Sequence, residues 1–242
     1  MSCAWRFFFL SIFIVNVLHA QENSVGEKRL FSLAMETNIR EYNHKAEIAF
    51  YNQDLERVEA LFDSIVENVV IGSYLDNFTV YQYKRKKIKL HKFEKPIFLI
   101  TYSDWYPFAP GEIAALNQIA AKHYREIDFL VLFFDPKKRV KPFSKQFGNR
   151  IHLLYVDERS NKFDRIIKSM KHSFGVPTVF FIDGNKKFVD VGRMPAHHFH
   201  EEFEASFNSK YNYFLQGISV LKNQKGGPVI ARKDKDKGDE SN

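Results

Sequence analysis

Three features of this 242-residue sequence bear on chemistry. His197, His198 and His200 are followed by Glu201 and Glu202, a mixture of imidazole and carboxylate that suits zinc or copper. Helical spacing would bring His197 beside Glu201, although a polar helix start, with acidic residues favoured by the dipole, accounts for the same residues without a metal. Asp104, Glu112 and Asp135 are carboxylates that would form an acid–base pair if the chain folded two of them together. The third feature is a scarcity: there is one cysteine, Cys3. One thiol excludes an intramolecular disulfide, a multi-cysteine zinc site and a two-cysteine redox centre. No Gly-rich phosphate loop, nucleophile elbow or HExxH pattern occurs, so no cofactor is expected.

The elements that must position these residues follow from composition and period. Apolar residues make up 45% of the chain and 25 residues are Phe, enough for a sizeable core. Residues 1–20 carry Arg6, an apolar run from Phe7 to Leu18 and a terminal Ala20, which reads as a signal peptide cleaved near Ala20. The run is too short for an ordinary membrane span of about 20 residues, so the mature chain is expected to be secreted or periplasmic and free of cysteine. The net charge is +7. Its basic runs, Lys84 to Lys87, Lys137 to Arg139 and Lys186 with Lys187, adjoin turns and read as solvated loops without interleaved aromatics, so no nucleic-acid partner is expected.

Residues 21–74 read as a helical lead-in. Leu55, Val58, Leu61, Phe62, Ile65, Val66 and Val69 recur at helical spacing after the N-cap candidates Asn52 and Asp54. From Asn77 the period shortens. Phe78 to Tyr83 and Lys86 to His91 alternate like strands, Ile97 to Tyr102 and Asp128 to Phe134 are buried-strand runs, and Ile151 to Val156 is a third. Helices are expected on Ile113, Leu116 and Ile119, over 162–171 and over 198–207, with a hairpin at Asp183-Gly184-Asn185. This alternation predicts an α/β layered domain over 75–214, followed by a polar tail over 215–242 expected to be disordered.

Two stretches resemble the thioredoxin superfamily, in particular its secreted TlpA-like and peroxiredoxin-related branch. Lys95 to Glu112, with Ser103-Asp104-Trp105-Tyr106-Pro107-Phe108-Ala109, is similar to that family's strand, Trp-Cys-x-x-Cys turn and helix. Phe174-Gly175-Val176-Pro177-Thr178 is similar to its Gly-Val-Pro-Thr segment, in which the proline bond is cis. The resemblance implies a thioredoxin-like fold, a central mixed β-sheet flanked by helices. It also places the two redox cysteines on Tyr106 and Ala109, and a proton-moving carboxylate on Ile100. A phenol and a methyl group cannot perform dithiol exchange. The expected function is therefore an exported, redox-inactive binding or scaffolding module that grips a peptide or protein partner with Trp105, Tyr106, Phe108, Val176 and Pro177. Two alternatives are a TlpA-like thiol-disulfide oxidoreductase, as the resemblance alone implies, and a metal carrier using the cluster 197–202.

Overall fold

A computed structural model describes residues 28–161, 164–195 and 200–223. The expected signal peptide and the end of the expected tail lie outside these residues.

The two strongest apolar runs of the sequence are the middle of the sheet. β3 (Ile97–Tyr102) and β4 (Asp128–Phe133) are buried at every position, because both of their faces are covered. Successive side chains in a strand point to opposite faces. Accordingly Ile97 and Leu99 join one core layer, whereas Phe98, Ile100 and Tyr102 join the other. The remaining strands are β1 (Thr79–Gln82), β2 (Lys87–Lys89), β5 (Ile151–Tyr155), β6 (Thr178–Ile182) and β7 (Phe188–Arg193). They form a seven-stranded sheet of order β2-β1-β5-β4-β3-β6-β7. β3, β4 and β5 run parallel, while β1, β6 and β7 join antiparallel. The fold is α/β, a central mixed sheet flanked by helices, the architecture that the resemblance implied.

Helices α1 (Phe31–Tyr51) and α2 (Leu55–Ile65) cover one face of the sheet. Asp54 caps α2 by accepting the Arg57 N–H at 2.9 Å, and the helix continues as a wide π-type turn over Val66–Val70. Phe31, Met35, Phe62 and Val66 pack with Leu99, Leu130 and Phe180, each buried Phe contributing roughly 1.5–3 kcal/mol of apolar burial. The Phe31 N–H donates to Tyr74 O at 2.8 Å, and the Asp76 carboxylate accepts both the Ser32 N–H and its hydroxyl. The expected lead-in thus does not precede the domain as a separate piece; its helices form one of the sheet's two helical layers.

The opposite face is covered by α3 (Glu112–His123) and α6 (Phe203–Lys222), with short α4 (Lys137–Val140) in a connection there, whereas short α5 (Arg165–Ile167) packs on the first face through Ile166 and Ile167. The last helix corrects the boundary expected at 214/215. It begins at Phe203, not at His198, and runs to Lys222, burying Phe214, Gly217, Ile218, Val220 and Leu221. Gly217 marks close packing, not the start of a polar tail. A Cβ there would lie 2.1 Å from Cε1 of the fully buried Phe181, so only glycine lets the helix approach β6. Among the described residues no helix is long and apolar enough to cross a membrane.

Candidate functional site

β3 delivers the chain into Ser103–Gly111, the turn that leads into α3. Two backbone bonds shape it: the Tyr106 N–H donates to Ser103 O at 3.0 Å, and the Glu112 N–H to Ala109 O at 3.0 Å. The Gly111 N–H donates to Ser206 Oγ at 3.2 Å, tying the start of α3 to α6. A Cβ on Gly111 would fall 2.3 Å from Phe207 N, so the two helices touch backbone to backbone at this point.

A thiolate in a turn of this kind draws stabilisation from the helix N-terminus. Here a carboxylate of the chain fills that role. Glu112, in the first turn of α3, is fully buried. Its Oε1 accepts the Tyr102 hydroxyl at 2.6 Å, and its Oε2 accepts the Tyr106 hydroxyl and the Ala109 N–H, each at 3.3 Å. Burial pushes the Glu112 carboxyl above its ordinary range, while the Tyr102 bond and the positive charge of Lys210 pull against that rise. Lys210, only 1% exposed, is itself pushed down by burial and held up by Glu112 and Glu201; its ammonium donates to Pro195 O. Both phenols are raised, by burial first and then by the adjacent negative charge of Glu112. A phenol in that setting is a hydrogen-bond donor and not a nucleophile.

The expected binding residues divide by environment. Phe108 packs against Tyr102 at 4.7 Å and Phe143 at 5.5 Å between ring centroids, so it belongs to the core under the turn. Tyr106 is half-buried, its ring tilted at 37° and 5.6 Å from that of Tyr102, and its hydroxyl engaged with Glu112. Ala109 is buried. Trp105, by contrast, is 66% exposed. The Val176–Pro177 peptide bond is cis, as the resemblance implied. It lies at the same sheet end as Trp105, because β3 and β6 are antiparallel with Thr101 opposite Thr178. Thr178 anchors this segment: its hydroxyl donates to Gly175 O at 3.0 Å. The Val176 side chain packs inward on the core, but its backbone N–H and C=O have no hydrogen-bond partner among the described residues.

Asp104 and Asp135 are brought together; Glu112 engages other partners. The Asp104 N–H donates to Asp135 Oδ2 at 2.9 Å, and Arg139 pairs with Asp104 Oδ2 at 2.8 Å. Burial, followed by the neighbouring Asp104 carboxyl, pushes Asp135 up to about 6. Burial acts the same way on Asp104, but its contacts with Asp135 and Arg139 outweigh it and hold that carboxyl below its usual range. The arrangement fastens the 103–105 loop to the end of β4.

His197 and His198 lie outside the described residues. His200 is exposed, and among the described residues no group of three or more His, Cys, Asp or Glu side chains is placed to hold a metal. Sequence reasoning missed Tyr102 and Lys210. Nothing in their local spacing signals that they meet Glu112, since that meeting depends on α6 crossing the start of α3.

The sequence matches no family profile and no curated protein. Similar solved structures include MTB dsbF in mixed oxidized and reduced forms, at 17% identity over 60% of this chain and 95% of that one, with a TM-score of 0.45. A secreted Mycobacterium tuberculosis disulfide oxidoreductase homologous to E. coli DsbE is 15% identical over 56% and 96% of the two chains, TM-score 0.41. The thioredoxin domain of a Bacteroides vulgatus thiol-disulfide oxidoreductase is 13% identical over 61% and 97%, TM-score 0.44. Likeness at these values does not reach the chemistry of the turn, which rests on the residues described above.

Proposed function

We propose that this chain is an exported thioredoxin-fold module that binds an extended peptide and performs no dithiol exchange with residues of its own. The supporting observation is the backbone of half-buried Val176, at the same sheet end as exposed Trp105, with an N–H and a C=O that no described residue engages. An extended peptide pairing there gains two backbone hydrogen bonds, and Trp105 adds an apolar contact. Tyr106 and Phe108, expected to grip the partner, support the platform from beneath.

Disulfide and thiol-disulfide oxidoreductases among the similar solved structures support a second reading, thiol-disulfide oxidoreduction. In this chain that reaction would need thiols from a partner, because Tyr106 and Ala109 stand where the resemblance puts cysteines.

A fluorescently labelled, carboxymethylated and therefore permanently unfolded lactalbumin serves as an extended-chain probe. Anisotropy titration is expected to show saturable binding, weakened at least about fivefold by Trp105→Ala, consistent with roughly 1 kcal/mol or more for a lost aromatic anchor. Equal binding by parent and variant would refute the peptide site. Catalysed insulin disulfide reduction by the chain residue 21 onward would favour the second reading.

A further inference from the structure

Two basic stretches far apart in sequence meet at one sheet edge. The turn between β1 and β2 carries Lys84, Arg85, Lys86 and Lys87; the connection after β4 carries Lys137, Lys138, Lys141 and Lys145. Tyr83 joins them. It immediately precedes the turn, its N–H donates to Leu153 O at 2.8 Å, and the Lys137 ammonium sits 6.0 Å from its ring centroid. All eight cations are exposed, and none forms an ion pair among the described residues. Neither 83–89 nor 136–146 contains an acidic residue. A chain with a net charge of only +7 therefore concentrates an unneutralised positive field on one edge.

The side chains indicate the kind of anion. Seven of the eight cations are Lys, a point charge on a flexible stem without the fork that reads phosphate bidentately. The aromatic faces are also occupied. Tyr81 and Tyr155 stack on each other at 5.3 Å with an interplanar angle of 18°, and Lys87 lies 5.3 Å from the Tyr81 centroid. Rings engaged in this way offer no open face to a nucleobase, whereas partly exposed tyrosines beside lysines suit the headgroup level of a bilayer.

We infer that the β1–β2 turn and the 137–145 segment together form a docking surface for an anionic phospholipid bilayer, an association separate from the peptide site. Clusters of this size attract acidic headgroups additively, about fivefold per cation.

The test is cosedimentation of the chain residue 21 onward with vesicles of pure phosphatidylcholine or of phosphatidylcholine with 30% phosphatidylglycerol, in 0.1 M and 0.5 M salt. Binding is expected only to the phosphatidylglycerol vesicles, and is expected to be lost in high salt. Arg85→Glu, Lys86→Glu and Lys138→Glu combined should weaken it at least about 50-fold, with an unchanged Tm. A control reversing the same number of charges elsewhere, Arg40→Glu with Arg57→Glu and Lys92→Glu, should retain most of the binding. Equal loss in both variants would show that net charge acts instead of this surface. Absence of vesicle binding, or tighter binding to single-stranded RNA than to the vesicles, would also overturn the inference.

Discussion

Replacing Glu112 with glutamine probes the carboxylate that fills the helix N-terminus. The side chain is fully buried and accepts three donors: Tyr102 OH at 2.6 Å, and Tyr106 OH and Ala109 N–H at 3.3 Å. An amide has one acceptor oxygen, so its NH₂ group must face at least one of these donors. Hydrogen bonds to a charged group contribute about 1.5–3 kcal/mol each, and the substitution also removes the larger of the two carboxylate charges that compensate Lys210, which is 1% exposed. Because these effects overlap, the expected loss is about 3–5 kcal/mol, which for a chain of this size lowers Tm by about 6–20 °C. Tyr106→Phe removes only one of the longer bonds and should cost about 0.5–1.5 kcal/mol. Adding Lys210→Met to Glu112→Gln should restore at least half of the loss, since it removes the stranded charge. Urea unfolding at pH 7 followed by circular dichroism measures all three. A Glu112→Gln stability within about 1 kcal/mol of the parent would refute the reasoning, because it would mean the carboxyl is already neutral in the folded protein.

Other substitutions test the packing and the loop. Gly217→Ala improves helix propensity by about 1 kcal/mol but places a methyl 2.1 Å from Phe181, so urea unfolding should show a net loss of about 1–3 kcal/mol. Removal of residues 215–242 should prevent cooperative unfolding, because Ile218 and Leu221 belong to the core. Asp135 has a folded-state pKa raised from 3.8 to about 6, so its contribution to stability is fully present below about pH 4 and is lost as the pH rises through about 6. Asp135→Asn, whose amide oxygen still accepts the Asp104 N–H, should therefore become more stable than the parent by about 1–3 kcal/mol at pH 7.5, a difference that fades toward pH 4. Thermal melts across that range check the sign.

The sheet was legible because its central strands are covered on both sides. Ile97 to Tyr102 is an unbroken apolar run that matches β3 residue for residue. The turn and the cis bond before Thr178 were legible through resemblance, and their position at one sheet end follows from the β3–β6 pairing. The end of the last helix was misread for a specific reason. Phe207, Tyr211, Phe214, Ile218 and Leu221 recur at steps of four and three, a helical stripe, but Gly217 falls within it, and glycine disfavours a helix interior. Its actual cause, the Phe181 ring, comes from a strand some thirty-five residues earlier and leaves no local trace. Tyr102, Glu112 and Lys210 pose the same difficulty, because their contact exists only once α6 crosses the start of α3. The basic runs were read singly as solvated loops, and only the pairing of β1 with β5 brings Tyr81 and Tyr155 together beside the turn.

The peptide-binding claim is tested most directly at one amide. Hydrogen exchange of the Val176 N–H, followed by NMR in the chain residue 21 onward, should be fast in the free protein and at least about tenfold slower when carboxymethylated lactalbumin is added to saturation, with Trp105→Ala reducing that protection at equal probe concentration. An amide already protected in the free protein, or one whose exchange is unchanged by saturating probe, would contradict the account.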